Sequence, residues 1–126
     1  MVKSIFCAAA IVAISTAAVS AEGKSLMGDA LRSAVAGKTM HLETPIGVLP
    51  ISFSSDGSMT GKAGTVASYT GSATDSGSWW VTGEKLCSRW NSWLKGKTHC
   101  FTLQQEGRSV TWKSSDGMTG VATISR

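Results

Sequence analysis

The residues with most chemical capacity lie in one run, KLCSRWNSWLKGKTHCF at 85–101. Lys85, Arg89, Lys95 and Lys97 stand there with no acid among them, and Trp90 and Trp93 are interleaved. Cations beside aromatic faces suit an anionic glycan or an acidic protein surface. Nucleophilic catalysis has no comparable support. There is no G-x-S-x-G, and neither His41 nor His99 belongs to a signature that ties it to a Ser or Cys nucleophile. The H-x-E of His41–Glu43 lacks the P-C-x-x-C of a zinc deaminase. On an alternating strand both residues share a solvated face, opposite Met40 and Leu42. Two of the eight acids, Asp56 and Asp116, are accounted for by turns, which leaves few carboxylates for glycoside cleavage. Cys87 and Cys100 with His41 and His99 lack C-x-x-C or H-x-x-x-H spacing, so neither a metal site nor a cofactor is expected. The reading is of a protein that is not an enzyme, with no catalytic residue assigned.

The cysteines acquire meaning from the N-terminus. Residues 1–21, MVKSIFCAAAIVAISTAAVSA, carry Lys3, an apolar stretch from Ile5 to Val19, and small residues before Glu22. That is the pattern of a secretory signal peptide cut after Ala21. The apolar run falls short of the ~20 residues a spanning helix needs, so no stable membrane anchor is expected after cleavage. Cys7 lies near the start of that run, where lipidation does not occur. The expected domain is 22–126, one core's worth of chain, periplasmic or secreted, with its net charge lowered from +4 to +3 by loss of Lys3. That mild basicity does not argue for nucleic acid. In an oxidising compartment the remaining pair, Cys87 and Cys100, reads as a disulfide, worth about 3 kcal/mol on the chain-entropy model.

If the two cysteines oppose each other across a hairpin, the faces follow. Cys87, Arg89, Thr98 and Thr102 share one; Leu86, Trp90, His99, Phe101 and Leu103 share the other, which is the core face. His99 is expected near the core and hydrogen-bonded there. Trp93 falls in the loop 91–96, where no alternation buries it. Two outcomes stay open for it: an exposed docking tip beside Lys95 and Lys97, or a side chain folded back over the end of the domain. Adjacent Trp79 and Trp80 must face opposite ways on a strand. Trp79 goes inside with Val81, and Trp80 goes under the N-terminal helix or out onto a binding face. Trp112 alternates with Val110 and reads as core.

The elements that position these residues are mostly strands. One helix is expected within 22–37, capped by Ser25, with Leu26, Ala30, Leu31, Ala34 and Val35 on one face and Gly37 closing it. From Lys38 the period becomes two. Strands are expected around Met40–Leu42, Leu49–Phe53, Met59–Ala63, Ser78–Thr82, Leu86–Asn91, Thr98–Gln104, Ser109–Lys113 and Met118–Ile124, with 70–78 a polar loop. ISFSSDGSMTGKA at 51–63 echoes VTWKSSDGMTGVA at 110–122, two Asp-Gly hairpins of one kind. The fold class is mainly β, a small antiparallel meander curled into a barrel or sandwich, with one N-terminal helix.

The second half reads G-S-W-W-V at 77–81, L-C-S-R-W at 86–90, H-C-F at 99–101, V-T-W at 110–112 and D-G-M-T-G-V-A at 116–122. This resembles a loose group of short exported proteins of alphaproteobacteria with a G-x-W…L-C-x-x-W…C-F…D-G…G-x-A skeleton. The resemblance covers about half of the expected mature chain. It implies a periplasmic location and a small β fold, and it brings no activity and no catalytic residues.

Three functions are in view. The first is a noncatalytic periplasmic binding or interaction module that uses Trp93, Lys95, Lys97, Arg89 and Trp80 against an envelope polymer or protein. The second is a small inhibitor of a secreted or envelope hydrolase that presents a rigid loop. The third is a carrier of a small apolar ligand, which a short chain with bulky tryptophans disfavours for any large cavity.

Overall fold

The computed structural model describes residues 24–126. The signal peptide expected at 1–21 lies outside the described residues. A two-residue strand β1 (Lys24–Ser25) leads into helix α1 (Gly28–Val35). Strands β2 (Lys38–Thr44), β3 (Gly47–Phe53) and β4 (Ser58–Lys62) follow. A 3-10 turn (Gly64–Val66) and a one-turn helix α2 (Ala67–Thr70) then precede β5 (Thr74–Thr82) and β6 (Lys85–Trp90). A second 3-10 turn (Trp93–Gly96) leads to β7 (Thr98–Glu106), β8 (Ser109–Ser114) and β9 (Thr119–Ser125).

From β2 to β9 each strand pairs antiparallel with the next, and β9 pairs back onto β2 through Leu42↔Ala122 and Thr39↔Ser125. The result is a closed eight-stranded up-and-down barrel, which decides between barrel and sandwich. Closure leaves the long strands without unpaired edges. β1 occupies the space on β7 beyond the end of β6, opposite Gln104 and Gln105.

The helix is shorter than expected. Ser25 lies in β1 and caps nothing; Met27 holds the N-cap position without a side-chain bond. Gly37 does follow the helix in the left-handed region, at φ 75°. Leu26, Leu31 and Val35 are buried as expected, whereas Ala30 is exposed. The helix closes the end of the barrel that also carries the connections 54–57, 83–84 and 107–108: the Gly28 amide donates to Gly83 O, and Arg32 lies 5.0 Å over the Trp79 ring. The segment 70–78 is not all loop, because β5 begins at Thr74. Its first half pairs with β4 (Lys62↔Thr74, Met59↔Gly77), and that ladder outweighs the polar, strand-poor composition.

Both Asp-Gly hairpins fold alike. Ser54 N donates to Ser58 O and Gly57 N to Ser54 O; Ser114 N donates to Met118 O and Gly117 N to Ser114 O. Their place differs, since β3–β4 turns at the helix end and β8–β9 at the opposite end. The echo continues into the core. A side chain at Gly61 would overlap the Trp93 ring, and one at Gly120 the Trp112 ring. Each repeat thus supplies a glycine against which an inward tryptophan packs.

Candidate binding site

β5 and β6 are joined by the two residues Gly83 and Glu84, which fixes Thr82↔Lys85, Val81↔Leu86 and Trp80↔Cys87. Cys87 in turn opposes Cys100, to which it is disulfide-bonded. Trp80, Cys87 and Cys100 therefore form one lateral row on the outside of the barrel. Trp79, facing inward, is 2 % exposed, and Trp80, facing outward, is 37 % exposed. Cys87 is only 1 % exposed despite its outward direction, being flanked by the Trp80 indole and the bridged partner. Arg89 and Lys85 are the diagonal neighbours of Trp80, at a spacing of roughly 7–8 Å typical of such pairs and within reach of long side chains.

The next row reads Lys85, Thr102, Lys113, since Thr102 opposes both lysines. Glu84, Lys85, Cys100, Thr102, Lys113 and Ser115 border a groove of about 300 Å³ beside the disulfide. Asp116 lies just beyond it. The Ser114 hydroxyl, then the Met118 amide, hold its carboxyl below the usual carboxylate range. The groove is thus a pair of ammonium groups across a threonine, with one acid at each edge. A smaller hollow of about 190 Å³, bordered by Lys38, Ser52 and Thr60, has no comparable charge to offer, because the Lys38 ammonium already donates to the carbonyls of Ser33 and Ala34.

The expected constellation around Trp93 is divided by the fold. Trp93 is 2 % exposed and is not a docking tip. Its ring packs against Trp90 with centroids 4.6 Å apart and planes tilted by 50°, its Nε1 donates to Ser72 Oγ at 2.8 Å, and it covers Gly61. The Asp75 carboxylate draws it in by accepting the Ser92 and Trp93 amides, both at 2.8 Å. Burial pushes the Asp75 carboxyl up, but the amides of Trp93, Ser92 and Ser76 outweigh it and hold the group below its ordinary value. The cations of the cluster stay outside. Lys95 and Lys97 are exposed, and Arg89 Nε donates to Gly96 O at 3.0 Å, bracing the loop. Leu94 and Lys95 occupy the left-handed region at φ 55° and 60°.

His41 is half-buried and shares a hydrogen bond of 3.0 Å with Ser125 Oγ, while Glu43 is exposed. His99 faces inward as expected, yet its buried Nε2 has no partner. Lys113 joins this face without standing in the run 85–101: the two-residue turn Gly107–Arg108 fixes Glu106↔Ser109 and hence Thr102↔Lys113, a signal present in the sequence.

No protein-family model, no curated protein and no solved structure matches the chain. Its class rests on the fold and the site: an eight-stranded up-and-down barrel bearing an aromatic, cationic face over a disulfide.

Proposed function

We propose that this protein is a noncatalytic binding module of the periplasm or the cell exterior, and that the outer face of β5–β8 holds an anionic envelope polymer. The observation that carries the reading is the exposed Trp80 indole between Arg89 and Lys85 on disulfide-tied strands, with the Lys85–Lys113 groove beside it. A flat ring offers a sugar an apolar surface, and flanking cations meet carboxylates or sulfates. Closed backbone pairing and the disulfide limit the entropy lost on binding. The exported location rests on the leader-like residues 1–21 and on the disulfide. The test is calorimetry with polygalacturonate and with dextran sulfate. Trp80→Ala should weaken binding by about 2 kcal/mol or more with the fold intact, as for an aromatic hot spot. Lys85→Glu with Lys113→Glu should weaken it most at low salt, where the Debye length exceeds ~10 Å. Retained affinity in both variants would remove this face from consideration.

The inhibitor reading keeps one specific support. Leu94 and Lys95 project from a loop braced by Arg89, anchored by Trp93 and held in the left-handed region. Capture of a hydrolase that is lost on Leu94→Gly and indifferent to Trp80→Ala would favour it.

A further inference from the structure

The barrel end opposite the helix is closed on one side only. Four connections meet there: 45–46, 63–73, 91–97 and 115–118. The two long ones lie over the β3–β7 sector: Val66 of the first is fully buried and its 3-10 turn packs on β3, and the second drives Trp93 onto Gly61. The other two are tight turns. Beneath them the inward side chains are half-buried: Leu42, Leu49, Phe101 and Trp112. Inward residues elsewhere are mostly buried, Met59, Trp79, Leu103 and Val110 to 2 % exposure or less, with Val81 half-buried.

Among the described residues, two buried polar atoms of this half have no protein partner, Trp112 Nε1 and His99 Nε2. Buried polar atoms are nearly always hydrogen-bonded, and a donor left without a partner costs free energy. The indole N–H can only donate, so what completes it must be an acceptor. Around the same end stand apolar side chains that water meets directly: Ile46 at 48 %, Leu94 at 50 % and Met118 at 61 % exposure.

We propose that this end is a second binding site, for a small amphiphile that ends in a carbonyl or carboxyl oxygen. The oxygen end enters and accepts from Trp112 Nε1–H, with His99 Nε2 the other polar contact of the pocket. The carbon body lies against Leu42, Leu49 and Phe101 and emerges over Ile46 and Met118. The tryptophans that fill the other half admit only the tip of such a molecule.

The test is titration with a dansyl-labelled fatty acid, read by energy transfer from tryptophan. Saturable one-to-one binding is expected, unchanged by Trp80→Ala, which separates this site from the outer face. Leu49→Trp should fill the mouth and abolish binding. Trp112→Phe removes the donor together with part of the indole, and should weaken binding by about tenfold. The lack of saturable binding, or binding indifferent to Leu49→Trp, would overturn the proposal.

Discussion

At the scale of single residues, the decisive pair is Asp75 and Trp93. Asp75 points inward at the barrel end, and its carboxylate accepts two successive amides of the 91–97 connection. That fixes the start of the turn and delivers the Trp93 ring onto Trp90 and Gly61. Trp93→Ala should therefore cost stability, about 3–5 kcal/mol, as for other buried aromatic truncations. Thermal unfolding checks it, and Trp80→Ala is the contrasting variant, with a small loss only. The Asp75 carboxyl is depressed below its ordinary value of 3.8. A depressed carboxylate stabilises the fold above the unfolded-state value, and that contribution disappears as pH falls through the folded-state value. Asp75→Asn should accordingly be less stable than the parent at neutral pH, with the gap in melting temperature closing as pH drops below about 4. A gap that persists undiminished in acid would show that the charge does not matter.

At the scale of elements, the two Asp-Gly hairpins build one device twice. Each carries a Thr-Gly pair into the barrel wall, Thr60-Gly61 and Thr119-Gly120, and each glycine lies under an inward tryptophan. Neither Gly61 nor Gly120 has a positive φ, so the requirement is space and not backbone freedom. Gly61→Ala places a methyl group into two tryptophan rings and should destabilise by about 1–3 kcal/mol, the usual range for overpacking, as denaturant titration would show. Helix α1 is the other element with a clear duty. Leu31 and Val35 are fully buried at the barrel end. Leu31→Asp would bring an unpaired charge into apolar surroundings, and a sharp fall in melting temperature is expected. An unchanged value would make the helix an appendage.

At the scale of the whole molecule, the disulfide and the barrel seam are separate ties. Cys87–Cys100 joins β6 to β7, strands already paired by the backbone, across a sequence separation of 13. The seam joins β2 to β9 and is held by ladder bonds and by His41 with Ser125. Replacing both cysteines by Ala should therefore cost about 2–5 kcal/mol and leave the strand order intact. That is a large share of a typical stability of about 5–15 kcal/mol, so melting temperature is the sensitive readout and circular dichroism at low temperature the control.

Much of this was legible in the sequence. Period-two alternation marked nearly every strand, the cysteine pair set the β6–β7 register, and that register sorted Leu86, Trp90 and Leu103 inward. The adjacency of Trp79 and Trp80 required one of them to face out. These are local facts, fixed by pleat geometry and by turns of two residues. Tertiary structure alone decided the rest. Whether the meander closed depended on β9 finding β2 some 80 residues away, which no local pattern encodes. The strand character of 74–77 came from the β4 ladder and not from its own residues. The position of Trp93 turned on a carboxylate 18 residues earlier in the chain and on a glycine across the barrel, contacts that exist only once the ends of different strands are brought together.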